Sequence, residues 1–225
     1  MADFATLADA LRNREFWQII TLSLGVSLSA TTVAAIVGLP VGVALAIWQF
    51  PGRGMIIVAA NALLGLPPVV VGLVLYLLLS HSGPLGWLGL LFTPTAMVIG
   101  QTLLALPIVT ALAHRAGDEY WAAYGDALMD LGAGKIRAVT AIIVMARAPM
   151  LTAVLAGFGR TVSEVGAIII VGGNIAGYTR TMTTAIVLET GMGNLPLALG
   201  LGLVLIGLTT MICAGAFVLA GRSTR

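Results

Sequence analysis

Five long apolar stretches alternate with shorter polar segments along the chain. Each stretch is close to, or longer than, the ~20 mostly apolar residues that a helix needs to cross a bilayer. The stretches are residues 18–47, 54–80, 95–113, 149–171 and 196–220. We therefore predict an all-α polytopic membrane protein in which residues 1–225 form one transmembrane domain with about five membrane-spanning helices.

The composition supports a membrane protein and excludes several other classes. Hydrophobic residues make up 59% of the chain and charged residues only 9%, whereas soluble domains carry about 25% charged residues. The net charge of +2 is too small to indicate a nucleic-acid-binding protein. The single cysteine, Cys213, lies in an apolar run, which excludes an intrachain disulfide and a cysteine-based metal site.

Prolines and glycines divide the apolar stretches. Pro67 and Pro68 remove two backbone donors from the second stretch, so we predict that this span is kinked or split into two halves. Pro149 and Pro196 suit the first turn of a helix, where a missing N–H costs nothing. The sequence Gly38-Leu-Pro-Val-Gly42 predicts either a close helix contact or a kink.

The N-terminal segment predicts a helix at the membrane interface. Phe4, Leu7, Ala8 and Leu11 fall on one helical face before the first span. The apolar run that follows is much longer than the 7–15 residues of a signal peptide, so we do not expect it to be cleaved.

The distribution of Lys and Arg predicts the orientation. With the N-terminus outside, seven basic residues fall inside and three outside, which agrees with the positive-inside rule. The inside set is Arg53, Arg115, Lys135, Arg137, Arg147, Arg222 and Arg225, and the outside set is Arg12, Arg14 and Arg180. The C-terminus and residues 114–148 are then cytoplasmic.

The cytoplasmic segment contains a Gly-Ala-Gly-Lys sequence that is not a nucleotide-binding loop. Such a loop requires Gly, four residues, then Gly-Lys-Ser/Thr. Met129 stands where the first glycine belongs and Ile136 stands where the hydroxyl belongs. We therefore predict no ATPase site and no catalytic residue in this chain.

Two amphipathic helices are predicted in the same segment. The apolar face of the first carries Tyr120, Tyr124, Ala127, Leu128 and Leu131. Gly132 follows where a helix commonly ends in a left-handed turn. A second helix from Lys135 would place Ile136, Val139 and Ile143 on one side. The segment is either a solvated loop packed on the membrane or the docking element for a partner.

This segment resembles the Glu-Ala-Ala loop of permease subunits of ATP-binding-cassette importers. Asp126, Ala127, Gly132 and Ile142 match the family pattern at the right spacing. Leu128, Val144 and Met145 depart from it, and the nearest proline is displaced to Pro149. The resemblance implies a coupling helix that docks on a separate ATPase subunit.

Two further blocks resemble the molybdate, tungstate and sulfate permeases. They are Leu-Pro-Pro-Val-Val-Val-Gly at 66–72 and the segment 157–194, whose Ser-Glu-Val-Gly-Ala wording is closest to the tungstate branch. The resemblance implies import of an oxyanion, most closely tungstate, delivered by an extracytoplasmic binding protein. It also implies two permease copies in the cytoplasmic membrane of a prokaryote. Molybdate or sulfate remains an alternative cargo.

Arg160 and Glu164 are the only charged residues within the predicted spans. At positions i and i+4 of one helix they would share a face and could pair, either beside the translocation route or as a packing contact. Neutral hydrogen-bonding residues surround them in the sequence and suit weak contact with a dianion: Thr161, Ser163, Asn174 and Thr181. We assign these six residues to the translocation path or its gating.

The remaining signals concern turns, metals and rival functions. Gly172-Gly173-Asn174 and Gly191-Met192-Gly193 predict turns on either side of a short helix at 182–188. His81 and His114 lie in different segments, so neither a metal site nor a cofactor is expected. A secondary transporter or a purely structural membrane subunit is the alternative to an importer permease.

Overall fold

The computed structural model describes residues 14–222, with side chains through residue 218. This part of the chain consists of α-helices and short 3₁₀ turns without a strand, which confirms the all-α class for the described residues. The helices are α1 (Arg14–Ile47), α2 (Arg53–Ala62), α3 (Pro68–Leu79), α4 (Pro94–Asp130), α5 (Lys135–Met145), α6 (Arg147–Val162), α7 (Gly166–Gly172), α8 (Met182–Gly191) and α9 (Leu195–Arg222). The N-terminal interfacial helix predicted around Phe4 to Leu11 lies outside the described residues.

Three helices within residues 14–222 are long and apolar enough to cross a membrane, and two bent helix pairs bring the number to five if each pair is one span. The three are α1, α4 and the Leu195–Val218 part of α9. In α9 only 17% of the most apolar 18-residue window is buried. A helix so apolar and so exposed needs lipid or a protein partner around it, as the predicted membrane location requires.

The second predicted span is split at the two prolines, as expected. A 3₁₀ turn at Leu63–Gly65 follows α2, and Pro67 takes an extended conformation that ends the first half. Pro68 is the first residue of α3, where its missing N–H has no partner to lose. The two halves meet at 103°.

The third predicted span is longer than the sequence indicated. Instead of ending at Ala113, α4 continues without interruption to Asp130 and absorbs the first predicted amphipathic helix. Pro107 lies inside the helix and does not end it. Gly117 does not end it either, because its Cα packs closely on α1: an added Cβ would lie 3.2 Å from the Val43 Cα.

The fourth predicted span, 149–171, is wrong as a continuous helix. Helix α6 ends at Val162 and α7 begins at Gly166. Polar side chains between them bind the backbone locally, which competes with helix continuation. Pro149 and Pro196 do lie in the first turns of α6 and α9, and α8 is the short helix expected between the two glycine turns.

The described chain divides into two compact units. The first comprises residues 14–30, 67–101 and 161–213. Its core packs α1 (Phe16, Ile19, Ile20) on α8 (Met182) and α9 (Leu201). In the same unit α3 and α7 approach so closely that a Cβ on Gly72 would lie 2.8 Å from the Ala167 Cα.

The second unit comprises residues 31–66, 102–160 and 214–222. Its core joins the C-terminal part of α1 to α4 and α5; its buried residues include Val43, Ile47, Ala113, Ala116, Ala138, Val139 and Ile142. Gly38 and Gly42 provide the close helix contact predicted for their sequence, because a Cβ on Gly42 would lie 2.5 Å from the Thr110 carbonyl oxygen. That residues 1–225 form a single domain stays a prediction.

Candidate functional site: the coupling turn and a buried polar network

The α4–α5 connection, residues 126–136, is here called the coupling turn. Gly132 has a φ of +76°, which confirms the predicted left-handed turn. The Gly132 N–H donates to the Met129 carbonyl (2.9 Å) and the Ala133 N–H to the Leu128 carbonyl (3.0 Å). These bonds satisfy carbonyls that the end of α4 would otherwise leave without partners.

The coupling turn exposes apolar side chains at its tip. Leu131 is 84% exposed, Ile136 75% and Met129 46%. Asp126 and Ala127, two of the pattern-matching residues, are exposed beside them. Grouped apolar side chains next to charges mark a protein or membrane contact. The coupling turn therefore has the surface of a docking element.

The predicted apolar faces are only partly correct. Of the five residues assigned to the first face, Tyr120 and Leu128 pack on the core of the second unit, whereas Tyr124, Ala127 and Leu131 are exposed. On α5 the buried residues are Ala138, Val139 and Ile142, so Ile136 was placed on the wrong side. A helix that binds two surfaces carries two apolar stripes, and periodicity alone does not separate them.

Ile142 is fully buried and therefore cannot touch a docked partner. It packs with Val139 on Val43 and Ala113, which fixes α5 to α1 and α4. Among the pattern-matching residues, Ile142 supports the coupling turn from beneath, while Asp126, Ala127 and Gly132 lie at the surface.

Polar contacts near the α1–α2 connection hold the base of the second unit. The Arg53 guanidinium donates to the Leu45 and Ala46 carbonyls at the end of α1 and lies 3.5 Å from the Asp118 carboxylate on α4. Arg115 donates to the Asn61 side chain at 3.0 Å. The charge count used Arg53 and Arg115 for orientation only and did not indicate these structural contacts.

In the first unit, Glu164 lies in the break between α6 and α7. Its carboxylate accepts the Ala167 N–H at 3.0 Å and so caps the start of α7. Because α6 ends at Val162, the expectation that Arg160 and Glu164 share one helical face is wrong. Glu164 is almost fully buried, and Arg160 lies in the segment assigned to the second unit.

A buried polar network surrounds this break. The Gln101 side-chain amide donates to the Thr161 carbonyl at 2.7 Å. The Thr161 hydroxyl donates to the Ser27 carbonyl (3.4 Å), and the Thr183 hydroxyl donates to the Glu164 carbonyl (2.8 Å). These bonds replace the helical bonds that the break removes.

Thr181 has a structural role in this network. Its hydroxyl accepts the Thr184 N–H while the Thr184 hydroxyl accepts the Thr181 N–H, which caps α8. The Ser23 hydroxyl accepts the next N–H, that of Met182, at 2.7 Å. Thr181 is buried, so in this conformation its hydroxyl faces protein rather than an ion.

The six predicted path residues do not converge on one cavity. Thr161, Glu164 and Thr181 belong to the buried network, whereas Ser163 is exposed. Asn174 lies in the turn after α7 with a φ of +50°, and its buried side-chain oxygen has no hydrogen-bond partner.

Sequence reasoning missed Gln101, Ser27 and Thr183. Gln101 carried the clearest available signal, since it is the one amide side chain in the apolar stretch 95–113. Buried amides in a membrane span need partners.

No group of His, Cys, Asp and Glu residues capable of holding a metal ion occurs within the described residues. The coupling turn and the polar network contain no nucleophile with an adjacent base. Their arrangement suits mechanical coupling and conformational change rather than chemistry.

Comparison with known proteins identifies the family. No protein-family model matches the chain. It is 40% identical over 200 residues to the tungstate uptake system permease protein of Peptoclostridium acidaminophilum, covering 89% of this chain and 88% of the relative. The chain belongs to the oxyanion permeases of ATP-binding-cassette importers.

Other relatives of this oxyanion permease support the same family. A probable anion ABC transporter permease protein of Haloferax volcanii is 40% identical over 84% of each chain. The molybdenum transport system permease protein of Azotobacter vinelandii is 31% identical over 74% of this chain and 77% of the relative. Family membership does not favour the secondary-transporter or structural-subunit alternatives.

Proposed function

We propose that this permease translocates tungstate across the cytoplasmic membrane of a prokaryote, powered by ATP hydrolysis in a separate subunit. Two relatives named as tungstate uptake permeases, each 40% identical to this chain, support the choice of cargo. Molybdate and sulfate are also tetrahedral dianions, and the relatives named for their transport are 31% and 26% identical.

The exposed coupling turn is the observation that carries the mechanism. Leu131 and Ile136 present apolar side chains to solvent, while the core behind them fixes α4 and α5 to α1. We infer that the turn docks into a groove of an ATPase subunit, with Asp126, Ala127 and Gly132 at the contact. Motion of the ATPase is then transmitted into the long helices α1 and α4.

The transport cycle is an alternation between outward-open and inward-open conformations. ATP binding draws two ATPases together and favours the outward-open state, and hydrolysis resets the inward-open state. The ATPases shift this equilibrium only by binding one conformation more tightly than the other. The broken helices α2–α3 and α6–α7 supply bends at which such a change can occur.

The proposed assembly contains two copies of this chain, two ATPase subunits and an extracytoplasmic binding protein that supplies high affinity. The N-terminus and the loop around Arg180 face outward, and the coupling turn and C-terminus face the cytoplasm. The Arg180–Glu15 ion pair supports placing the start of α1 and this loop on the same side. Arg160, Thr161, Ser163, Glu164, Asn174 and Thr181 belong to the gating region in this proposal.

Co-purification tests the assignment. We expect the tagged chain to co-purify from native membranes with an ATPase subunit whose activity is stimulated most by the tungstate-loaded binding protein. The molybdate-loaded and sulfate-loaded forms are the controls for cargo. Recovery of the chain with no ATPase would contradict the proposal, and equal stimulation by every oxyanion would contradict only the choice of tungstate.

A further inference from the structure

Arg180 lies in the turn between α7 and α8 and reaches the start of α1. Its Nη1 atom donates to a Glu15 carboxylate oxygen at 3.2 Å. The two partners differ in exposure: the Arg180 side chain is 20% exposed and that of Glu15 45%. The arginine is therefore the fixed member of the pair, and the glutamate is the member free to change rotamer.

Two cavities meet at Arg180, and their charges differ. A cavity of about 140 Å³ is lined by Arg180 together with Glu15 and Glu189. A wider groove of about 340 Å³ is lined by Arg180 with Gln18, Tyr178, Gly177 and Thr21, and no carboxylate lines it among the described residues. We call the second the Arg180 groove. Arg180 is its one charged lining residue.

The hydrogen bonding of Arg180 is incomplete. The Nε atom is buried and has no hydrogen-bond partner among the described atoms. A buried guanidinium donor without an acceptor is unfavourable, and a guanidinium presents its donors as a planar fork that fits two oxygens of a tetrahedral anion. Gln18 and Tyr178 add neutral donors. Thr21 adds none, because its hydroxyl already lies within hydrogen-bond distance of the Trp17 and Gln18 carbonyls.

We propose that the Arg180 groove is an entry site for the transported oxyanion on the outer side of the permease, with Glu15 as a displaceable intramolecular competitor. The proposal rests on the proposed function, because it takes the transported tungstate as the ligand. The anion binds the Arg180 fork, and the exposed Glu15 carboxylate moves away. When the anion moves on, Glu15 returns to the guanidinium.

This exchange explains how one arginine can receive a dianion without trapping it. A transport site must bind well enough to admit the ion and weakly enough to release it. The carboxylate of Glu15 neutralises the guanidinium between transport events and competes with bound cargo. Glu189, in the neighbouring cavity, is held by the Asn194 amide at 2.8 Å and keeps that side unfavourable for an anion.

The proposal predicts opposite effects for the two members of the ion pair. Arg180→Gln should weaken tungstate binding by at least about tenfold, the change expected from losing a charge-assisted hydrogen bond. Glu15→Gln should strengthen binding several-fold by removing the competitor. Arg14→Gln removes a charge one residue away that lines neither cavity, and it should bind like the wild type. Arg180→Lys should fall between wild type and Arg180→Gln.

The measurement is equilibrium dialysis of tungstate against the permease–ATPase complex in lipid-free detergent, without binding protein. A structural ion pair would make both single variants change in the same direction, and that result would overturn the proposal. Equal binding by wild type, Glu15→Gln and Arg180→Gln would overturn it as well. The Glu15→Gln variant keeps the test decisive if Arg180→Gln does not fold.

Two further readouts separate the proposal from neighbouring explanations. If tungstate binding is unchanged but anionic phospholipid co-purifies only when Arg180 is present, the groove holds a lipid phosphate and the proposal is wrong. If wild-type proteoliposomes import no oxyanion, the proposed function fails. If they import tungstate and Arg180→Gln binds it like wild type, only the entry site fails.

Discussion

Replacing Gly132 by valine should uncouple ATP hydrolysis from transport. Gly132 has a φ of +76° at the exposed turn between α4 and α5, and a Cβ there would meet nothing within 4 Å. The cost is therefore backbone strain rather than a clash, about 1–3 kcal/mol for a non-glycine residue held in this region. We expect the turn to rearrange, and stimulation of the ATPase by the loaded binding protein to fall about tenfold or more, as that energy implies.

The neighbouring Gly134 provides a matched control. It also has open space around its Cα, but its φ of −64° and ψ of 155° are accessible to any residue. Gly134→Val should therefore retain most coupling, and Gly132→Asn should retain more than Gly132→Val because asparagine tolerates the left-handed region. Normal transport by Gly132→Val, with normal ATPase association, would contradict the role assigned to the turn.

Replacing Gly42 by alanine should destabilise the second unit. The added Cβ would lie 2.5 Å from the Thr110 carbonyl oxygen and 2.9 Å from the His114 backbone nitrogen. Backbone atoms cannot rotate away, so α1 and α4 must separate. Overpacking of this kind costs about 1–3 kcal/mol or more. For a chain of this size, that corresponds to a lower apparent Tm by roughly 2–12 °C.

Gly25→Ala is the matched control for Gly42→Ala, because Gly25 lies on the same helix and a Cβ there meets nothing within 4 Å. Alanine inside a helix is favoured over glycine by about 0.5–1 kcal/mol. Thermal unfolding of the purified protein in detergent, followed by circular dichroism, should show an unchanged or raised Tm for Gly25→Ala. An unchanged Tm for Gly42→Ala would contradict the close packing of α1 on α4.

The sequence was most informative where one residue imposes a local backbone conformation. Pro67 and Pro68 split the second span, and Gly132 takes the left-handed turn, as predicted. These outcomes follow from the missing proline N–H and the missing glycine Cβ, which act whatever the tertiary context. The apolar stretches located the helices for the same reason, since length and hydropathy are local properties.

The sequence was least informative where distant segments decide the outcome. Nothing near Ala113 indicates that α4 continues to Asp130, because the packing of Gly117 against α1 lies about 70 residues away in the chain. The break after Val162 likewise depends on Gln101 and Thr183, which satisfy its backbone from other helices. Tertiary partners override local helix propensity at such positions.

The candidate site shows the same division. Pattern matching selected Asp126, Ala127 and Gly132, which lie at the exposed coupling turn, but it could not distinguish them from the buried Ile142. It also assigned Thr181 to the path, whereas its hydroxyl caps α8. Arg180 entered only the charge count, and its groove became visible once α1 and the turn before α8 were placed together.

Uptake into proteoliposomes tests the central claim most directly. The permease would be reconstituted with its ATPase, supplied with tungstate-loaded binding protein outside and Mg-ATP inside, and trapped tungsten would be measured against time. We expect accumulation that requires ATP and binding protein together and is lost in Gly132→Val. Uptake that proceeds equally without ATP, or that follows an imposed ion gradient instead, would contradict an ATP-driven importer.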